Sequence, residues 1–117
     1  MKKIIKFKQE FLESMLNGSK TQTMRMPSSR IDVQENDIVI AVFPNGEELT
    51  LKITKVGYKA FKSITDDDAE REGFHNKEEL QKCLKDIYSE YRIEDFMRFY
   101  YYRFEVISIK NIVLDSS

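Results

Sequence analysis

Apolar positions along the chain switch between a period of two and a period near 3.6, and the switches predict the elements. Lys3 to Phe7, with Ile4 and Ile5 at its centre, reads as a short first strand. Phe11, Leu12, Met15 and Leu16 follow at spacings of three and four, which places them on one face of a short helix. Asn17-Gly18 ends that helix, because glycine takes the left-handed conformation that helix C-termini often need. From Thr21 to Met26 the chain alternates, with Thr21, Thr23 and Arg25 on one face and Gln22, Met24 and Met26 on the other, until Pro27 stops it. Ile38 to Phe43 is a continuous apolar run, the pattern of a strand buried on both faces. Pro44-Asn45-Gly46 supplies turn chemistry, and Leu49, Leu51 and Ile53 alternate with Thr50, Lys52 and Thr54 in a returning strand, so a hairpin is expected. A further extended stretch runs from Val56 to Phe61, weakened by Gly57.

The second half is helical before it is extended. Thr65 caps a short helix whose first turn holds Asp66, Asp67 and Asp68, where negative charge suits the helix dipole, and Gly73 ends it. Asn76 with Glu79 three residues later resembles a capping box, and Leu80, Leu84, Ile87 and Tyr88 form one apolar face of the next helix. Met97 to Ile107 reads as a long aromatic-rich strand, and a last strand is expected from Ile109 to Leu114. Strands and helices without regular alternation indicate an α+β fold. No repeat or linker divides the chain, so residues 1–117 read as one domain with one core.

Composition narrows the functions this fold can carry. The chain is 41% hydrophobic and 33% charged with only four Gly and two Pro, which excludes disordered and low-complexity readings. A formal charge of -1 argues against coating nucleic acid through bulk electrostatics and leaves room for a local basic pocket. The single cysteine, Cys83, excludes an internal disulfide framework and points to a reducing, cytoplasmic setting. Lys6 and Lys8 interrupt the N-terminal apolar run, so neither a targeting segment nor a membrane span is expected. With His75 the only histidine, there is no zinc cluster and no His-based triad, and Asp66 to Asp68 are explained by the helix start. No metal or cofactor is expected.

Gly18-Ser19-Lys20-Thr21-Gln22-Thr23-Met24-Arg25, between a short helix and a hairpin, resembles the GxKxxTxR signature of ASCH domains. Glu70-Arg71-Glu72-Gly73-Phe74 before the Leu80 helix also resembles that family's middle region, so the likeness spans nearly the whole chain. It implies a small PUA-like mixed β-barrel with a short N-terminal helix and two helices before the C-terminal strands. Within the family the chain is most similar to small bacterial enzymes that hydrolyse the amide of N-acetylcytidine. Their roles, carried over position by position, make Lys20, Thr23 and Glu72 catalytic and Arg25 a substrate-binding residue, with Gly18 and Ser19 in the same segment. Other ASCH proteins are regarded as RNA-binding or coactivator-associated modules, and one is reported to cut RNA.

The chemistry is self-consistent. A threonine hydroxyl attacks only after a base removes its proton, and a lysine is that base only when its amine is neutral, a state that burial and a neighbouring cation such as Arg25 favour. Thr23 would then attack an acyl carbonyl on a base nitrogen, with Glu72 assisting departure of the amine. Direct attack by water oriented by Thr23 fits equally well, and the amides of the Gly18 to Lys20 turn are candidate oxyanion donors. Each residue also has a structural reading. Lys20 and Arg25 suit a basic turn, Thr23 suits a strand, Cys83 suits a half-buried helix face, and Glu70 is as available as Glu72. Tyr100 and Tyr102 share a strand face and offer a stacking surface for a base or a packing surface, with Phe43 a further stacking candidate.

Three classes follow, with RNA cleavage a fourth option for which Glu72 is the one evident acid. The first is a nucleoside or RNA-nucleotide pocket that hydrolyses the acyl amide of N-acetylcytidine. The second is a non-catalytic RNA-binding module, and the third a protein-interaction domain. Neither the RNA target nor the oligomeric state is encoded in a readable motif.

Overall fold

The computed structural model describes residues 3–109. Five strands, β1 (Lys3–Lys6), β2 (Gln22–Arg25), β3 (Ile38–Val42), β4 (Glu48–Ala60) and β5 (Arg98–Ile109), form one sheet in the order β1-β3-β4-β5-β2. β1 runs parallel to β3, and every other neighbouring pair is antiparallel. Three helices, α1 (Leu12–Leu16), α2 (Asp66–Arg71) and α3 (Lys77–Ile87), connect them, so the expected α+β architecture is present. Ile109 closes β5, and the rest of the strand expected up to Leu114 lies outside the described residues.

The hairpin forms as the turn residues dictate, with Gly46 at a φ of 90° between β3 and β4. Two expectations change. Ile38 to Val42 is buried on one face only: Val39 and Ala41 are inaccessible, while Ile38 is exposed and Ile40 and Val42 half-exposed. The reason is that the helices cover the other end of the sheet, and neither apolar cluster takes a side chain from Ile38, Ile40 or Val42. The Val56 to Phe61 stretch, in turn, belongs to β4, which continues to Ala60 through two register shifts, between Thr50 and Leu51 and between Ile53 and Lys55. Gly57 does not break it because its cross-strand partner Tyr101 fills the missing side chain's place. A β-carbon at Gly57 would lie 2.5 Å from the Tyr101 hydroxyl oxygen.

Alternation along β5 divides the interior in two. Phe104 joins Ile5, Phe7, Val39, Leu51 and Ile53 inside the curl of the sheet, with Met15 of α1 as its plug. Phe99 faces the opposite way and packs with Met24, Phe61, Ile64, Leu80 and Leu84 beneath α2 and α3. β1 and β2 are the sheet edges and do not pair with each other. The Arg25 side chain spans the gap, its Nη2 donating to the Lys6 carbonyl at 2.9 Å and its guanidinium lying 5.2 Å from the Phe7 ring centre. The barrel is therefore a half-barrel, latched at its seam by one arginine.

Helix α2 is fixed by a capping box between Thr65 and Asp68. The Thr65 hydroxyl accepts from the Asp68 amide, and Asp68 Oδ2 accepts from the Thr65 amide at 3.0 Å. At α3 the Asn76 side chain accepts from the Glu79 amide, but the Glu79 carboxylate reaches the His75 amide instead of closing a box. Asp68 is fully buried and also accepts from Lys59 Nζ at 2.7 Å and Gln22 Nε2 at 3.3 Å. Burial pushes its carboxyl up, yet the bonds from Lys59, the Thr65 amide, Gln22 and the Thr65 hydroxyl together hold it below its ordinary value of 3.8.

Asp68→Ala is expected to destabilise the fold by about 1–3 kcal/mol, the cost of leaving partners such as Gln22 Nε2 and the Thr65 amide unsatisfied, read from urea unfolding at neutral pH. A depressed carboxyl stabilises above its unfolded pKa and loses that contribution as pH falls through its folded value, so the gap between variant and wild type should close below pH 3.8.

Candidate functional site

The segment after α1 turns the chain inward. Gly18 has a φ of 83°, the Lys20 amide donates to the Ser14 carbonyl at 2.9 Å, and the Thr21 amide donates to the Arg71 carbonyl. β2 therefore starts at Gln22, one residue later than the alternation suggests, and Thr21 serves as the tie between α2 and β5 through Phe104. Lys20 is left with its side chain in the interior, 3% exposed. Its Nζ donates to the Gln22 carbonyl at 2.9 Å and to Glu72 Oε1 at 3.0 Å, and lies 4.6 Å from the Phe11 ring centre.

Glu72 caps the C-terminus of α2, and Gly73 at a φ of 91° turns the chain away behind it. This geometry settles which carboxylate faces inward: Glu72 is 5% exposed, whereas Glu70 is on the surface. Glu72 Oε2 has no hydrogen-bond partner. Burial pushes the Glu72 carboxyl above the ordinary 4.5, a shift that the charge and hydrogen bond of Lys20 and the nearby Gln22 amide oppose and Asp68 reinforces.

A pocket of about 250 Å³ opens at the seam beside this pair. Lys6, Phe7 and Lys8 line it from the end of β1, Thr23, Met24 and Arg25 from β2, and Ser29 from the following turn. Phe11 and Phe74 close its sides, and Leu80, Cys83, Leu84, Ile87 and Tyr88 of the α3 region form its apolar wall. The volume lies just under the roughly 300–1,000 Å³ of drug-sized sites, so the pocket suits a small ligand better than anything larger. Thr23 is 6% exposed, and its hydroxyl accepts from Arg25 Nε at 3.3 Å. No hydrogen bond joins Thr23 to Lys20.

The structure thus brings Lys20, Thr23, Arg25 and Glu72 into one pocket and leaves the other sequence candidates outside it. Gly18 and Ser19 shape the turn behind the site. The amides of Gly18, Ser19 and Lys20 are committed to Met15 O, Asn17 Oδ1 and Ser14 O, so none is free to receive an oxyanion. Phe43 is a core residue, 2% exposed and stacked on Phe7 with ring centres 5.9 Å apart. Tyr100 and Tyr102 stand opposite Arg25 and Thr23 in the sheet but line a separate concavity, where the Tyr102 hydroxyl accepts from the Ile31 amide. Cys83 is half-buried on the pocket wall, and burial pushes its thiol up, which disfavours the reactive thiolate.

Sequence reasoning missed Gln22. Its backbone carbonyl holds Lys20, while its fully buried side chain links Asp68 to Arg103 Nε, 2.9 Å away. A lone amide on the face otherwise occupied by Met24 and Met26 is the signal that marks it. Phe11 and Tyr88 were legible only as helix-face residues, because which side of a helix meets a cavity depends on the tertiary arrangement.

A curled mixed sheet with its helices banked against one end is the PUA-like class of fold. The chain belongs to the ASCH domain family, whose pattern matches residues 3–108. Among solved structures it resembles protein EF3133 of Enterococcus faecalis V583, assigned to DUF984, with a TM-score of 0.75 and 17% identity over 99% of this chain and 86% of that one. It also resembles an ASCH domain from Lactobacillus crispatus JV V101, with a TM-score of 0.71 and 16% identity over 82% of this chain and 69% of that one. Hypothetical protein PH0355 matches with a TM-score of 0.69 and 23% identity over 92% of this chain and 100% of that one. At such identities the likeness is one of fold. Among curated proteins none matches the chain significantly in sequence. Among the described residues no helix is long and apolar enough to cross a membrane.

A buried ion pair tests its own purpose. Lys20→Met should cost about 3–5 kcal/mol, because Glu72 is left buried and unpaired. The carboxyl of that variant has a raised folded pKa, so stability is retained below the unfolded value of 4.5 and lost as pH rises through the folded value; the deficit should therefore grow with pH in urea titrations. Lys20→Met combined with Glu72→Leu should recover most of the loss.

Proposed function

We propose that the seam pocket binds the base of an N-acylated cytidine and hydrolyses its amide, with Lys20 and Glu72 as the acid–base pair and Thr23 positioning the attacking water. The observation that carries this reading is the Lys20–Glu72 pair itself: both side chains are withdrawn from water, 3.0 Å apart, with Glu72 Oε2 unpartnered. ASCH membership supports a nucleic-acid-related ligand, and the pocket's size limits the reacting part to one base or nucleoside.

The proposed reaction begins as one proton passes from Lys20 to Glu72 across their 3.0 Å contact, leaving an amine beside a protonated acid. The raised proton affinity of Glu72 favours that direction. The amine takes a proton from water as the water oxygen attacks the acyl carbonyl. The C–N bond then breaks as Glu72 gives its proton to the departing exocyclic nitrogen, releasing a carboxylic acid and cytidine and restoring the ion pair. The Thr23 hydroxyl accepts from Arg25 and keeps its own proton for the water, which favours water over Thr23 as the nucleophile. Arg25, which remains charged at neutral pH, lines the pocket and is the donor assigned to the developing oxyanion, since the turn amides are committed elsewhere.

Purified protein should release cytidine from N4-acetylcytidine, followed by chromatography, and Lys20→Met or Glu72→Gln should lower kcat/KM about 100- to 10,000-fold. Absence of cytidine at high protein concentration removes the reading. The pair is active only with one proton. The acid limb of kcat/KM should therefore lie above the ordinary carboxyl value of 4.5 and disappear from the residual activity of Glu72→Gln.

A further inference from the structure

Outside the pocket, the same sheet face carries a second concavity of about 370 Å³ with a different chemistry. Four planar groups follow one another along its rim, the two tyrosine rings tilted by 60° to each other. The Arg98 guanidinium lies 4.1 Å from the Tyr58 ring centre, Tyr58 and Tyr100 are 5.8 Å apart, and the Arg30 guanidinium lies 4.9 Å from the Tyr100 ring centre. Tyr58 is 58% exposed, a large ring for a β-strand to leave in water. Neither Arg30 nor Arg98 is in an ion pair among the described residues. The groove's one carboxylate, Asp32, pairs instead with Lys3.

We propose that Tyr58 and Tyr100, flanked by Arg30 and Arg98, form a base-stacking platform for single-stranded nucleic acid, so that the chain holds a polynucleotide rather than only a free nucleoside. Aromatic rings and guanidinium planes accept any base on their faces, and unpaired arginines beside them meet the phosphates that link the bases. The formal charge of -1 is no obstacle, because five of the 19 cationic side chains lie along one track. Lys6, Lys8 and Arg25 border the seam pocket, and Arg30 and Arg98 border the platform.

Register ties the two places together. Arg25 of the pocket stands directly opposite Tyr100, and Tyr100 directly opposite Tyr58. Facing residues of antiparallel strands have β-carbons about 4.5–5.5 Å apart, so the row Arg25, Tyr100, Tyr58 leads from the pocket's rim onto the platform. Between them Ser29 lines the pocket while its neighbour Arg30 lines the platform. A strand that places one base in the pocket lays the adjoining base over Tyr100. This last step rests on the nucleoside reading of the pocket, whereas the platform itself does not.

The probes are 5′-fluorescein-labelled octauridine and its deoxy counterpart, titrated by anisotropy at low salt. Binding of either should weaken about tenfold or more in Tyr58→Ala, and further in Tyr58→Ala/Arg98→Ala, with the melting temperature unchanged because both side chains lie on the surface. A stronger response of octauridine marks RNA as the natural strand, and equal responses mark any single strand. Ultraviolet crosslinks should map to the peptides holding Tyr58 or Tyr100. Failure of both probes to bind at low salt overturns the proposal, as does binding indifferent to Tyr58→Ala. Self-association abolished by Tyr58→Ala also overturns it, by making the face a protein contact. Platform binding without release of cytidine from N4-acetylcytidine removes the hydrolase reading alone, and cytidine release without platform binding removes this one alone.

Discussion

A lysine and a glutamate withdrawn from water hold the helical and sheet halves of this fold in register. Lys20 enters from the turn after α1, and Glu72 from the end of α2. Their contact is continued on the far side by Gln22, whose carbonyl accepts from Lys20 and whose side chain reaches Asp68, itself bound to Lys59 of β4. Among the described residues the buried polar or charged side chains are Lys20, Gln22, Thr23, Asp68 and Glu72, and all but Thr23 are joined along this one line. The rest of the described buried interior is apolar. A polar line of that kind fixes orientation, since sliding α2 along the sheet by a residue would leave several buried groups without partners.

The two ends of the line are electrostatically unlike. At Asp68 donors outnumber what burial costs, and the carboxyl is held low. At Glu72 the single lysine does not offset burial, one oxygen stays unpartnered, and the carboxyl is held high. Two carboxylates four residues apart on the same short helix and its cap are thus separated into a structural anion and a group ready to take a proton. Pairs of titratable groups whose surroundings push them apart in this way are the usual mark of acid–base assignments.

Much of the frame was legible from local pattern. The hairpin followed from Pro44-Asn45-Gly46 and the alternation after it, the α2 start from Thr65 with its aspartates, and the meeting of Thr23 with Arg25 from a shared strand face. What escaped was tertiary. Periodicity cannot say that Ile38 stays exposed because the helices cover the other end of the sheet. Composition cannot say that Tyr101 stands in for a side chain at Gly57. The choice between Glu70 and Glu72 depends on where α2 ends, and Gly73 decides that by turning the chain immediately after Glu72.

The half-barrel geometry explains why the site is where it is. A closed barrel would pair β1 with β2 and fill the seam with backbone hydrogen bonds, leaving no cavity beside Lys20. Here Arg25 joins the two edges, using one nitrogen on the Lys6 carbonyl and another on Thr23. The residue that substitutes for strand pairing is therefore the same one that bonds the threonine, and the gap it spans leaves a pocket beside the buried pair. An apolar replacement of Lys20 and Glu72 would suit stability alone about as well, and the proposed acid–base role gives the buried pair beside the seam a reason that packing does not supply.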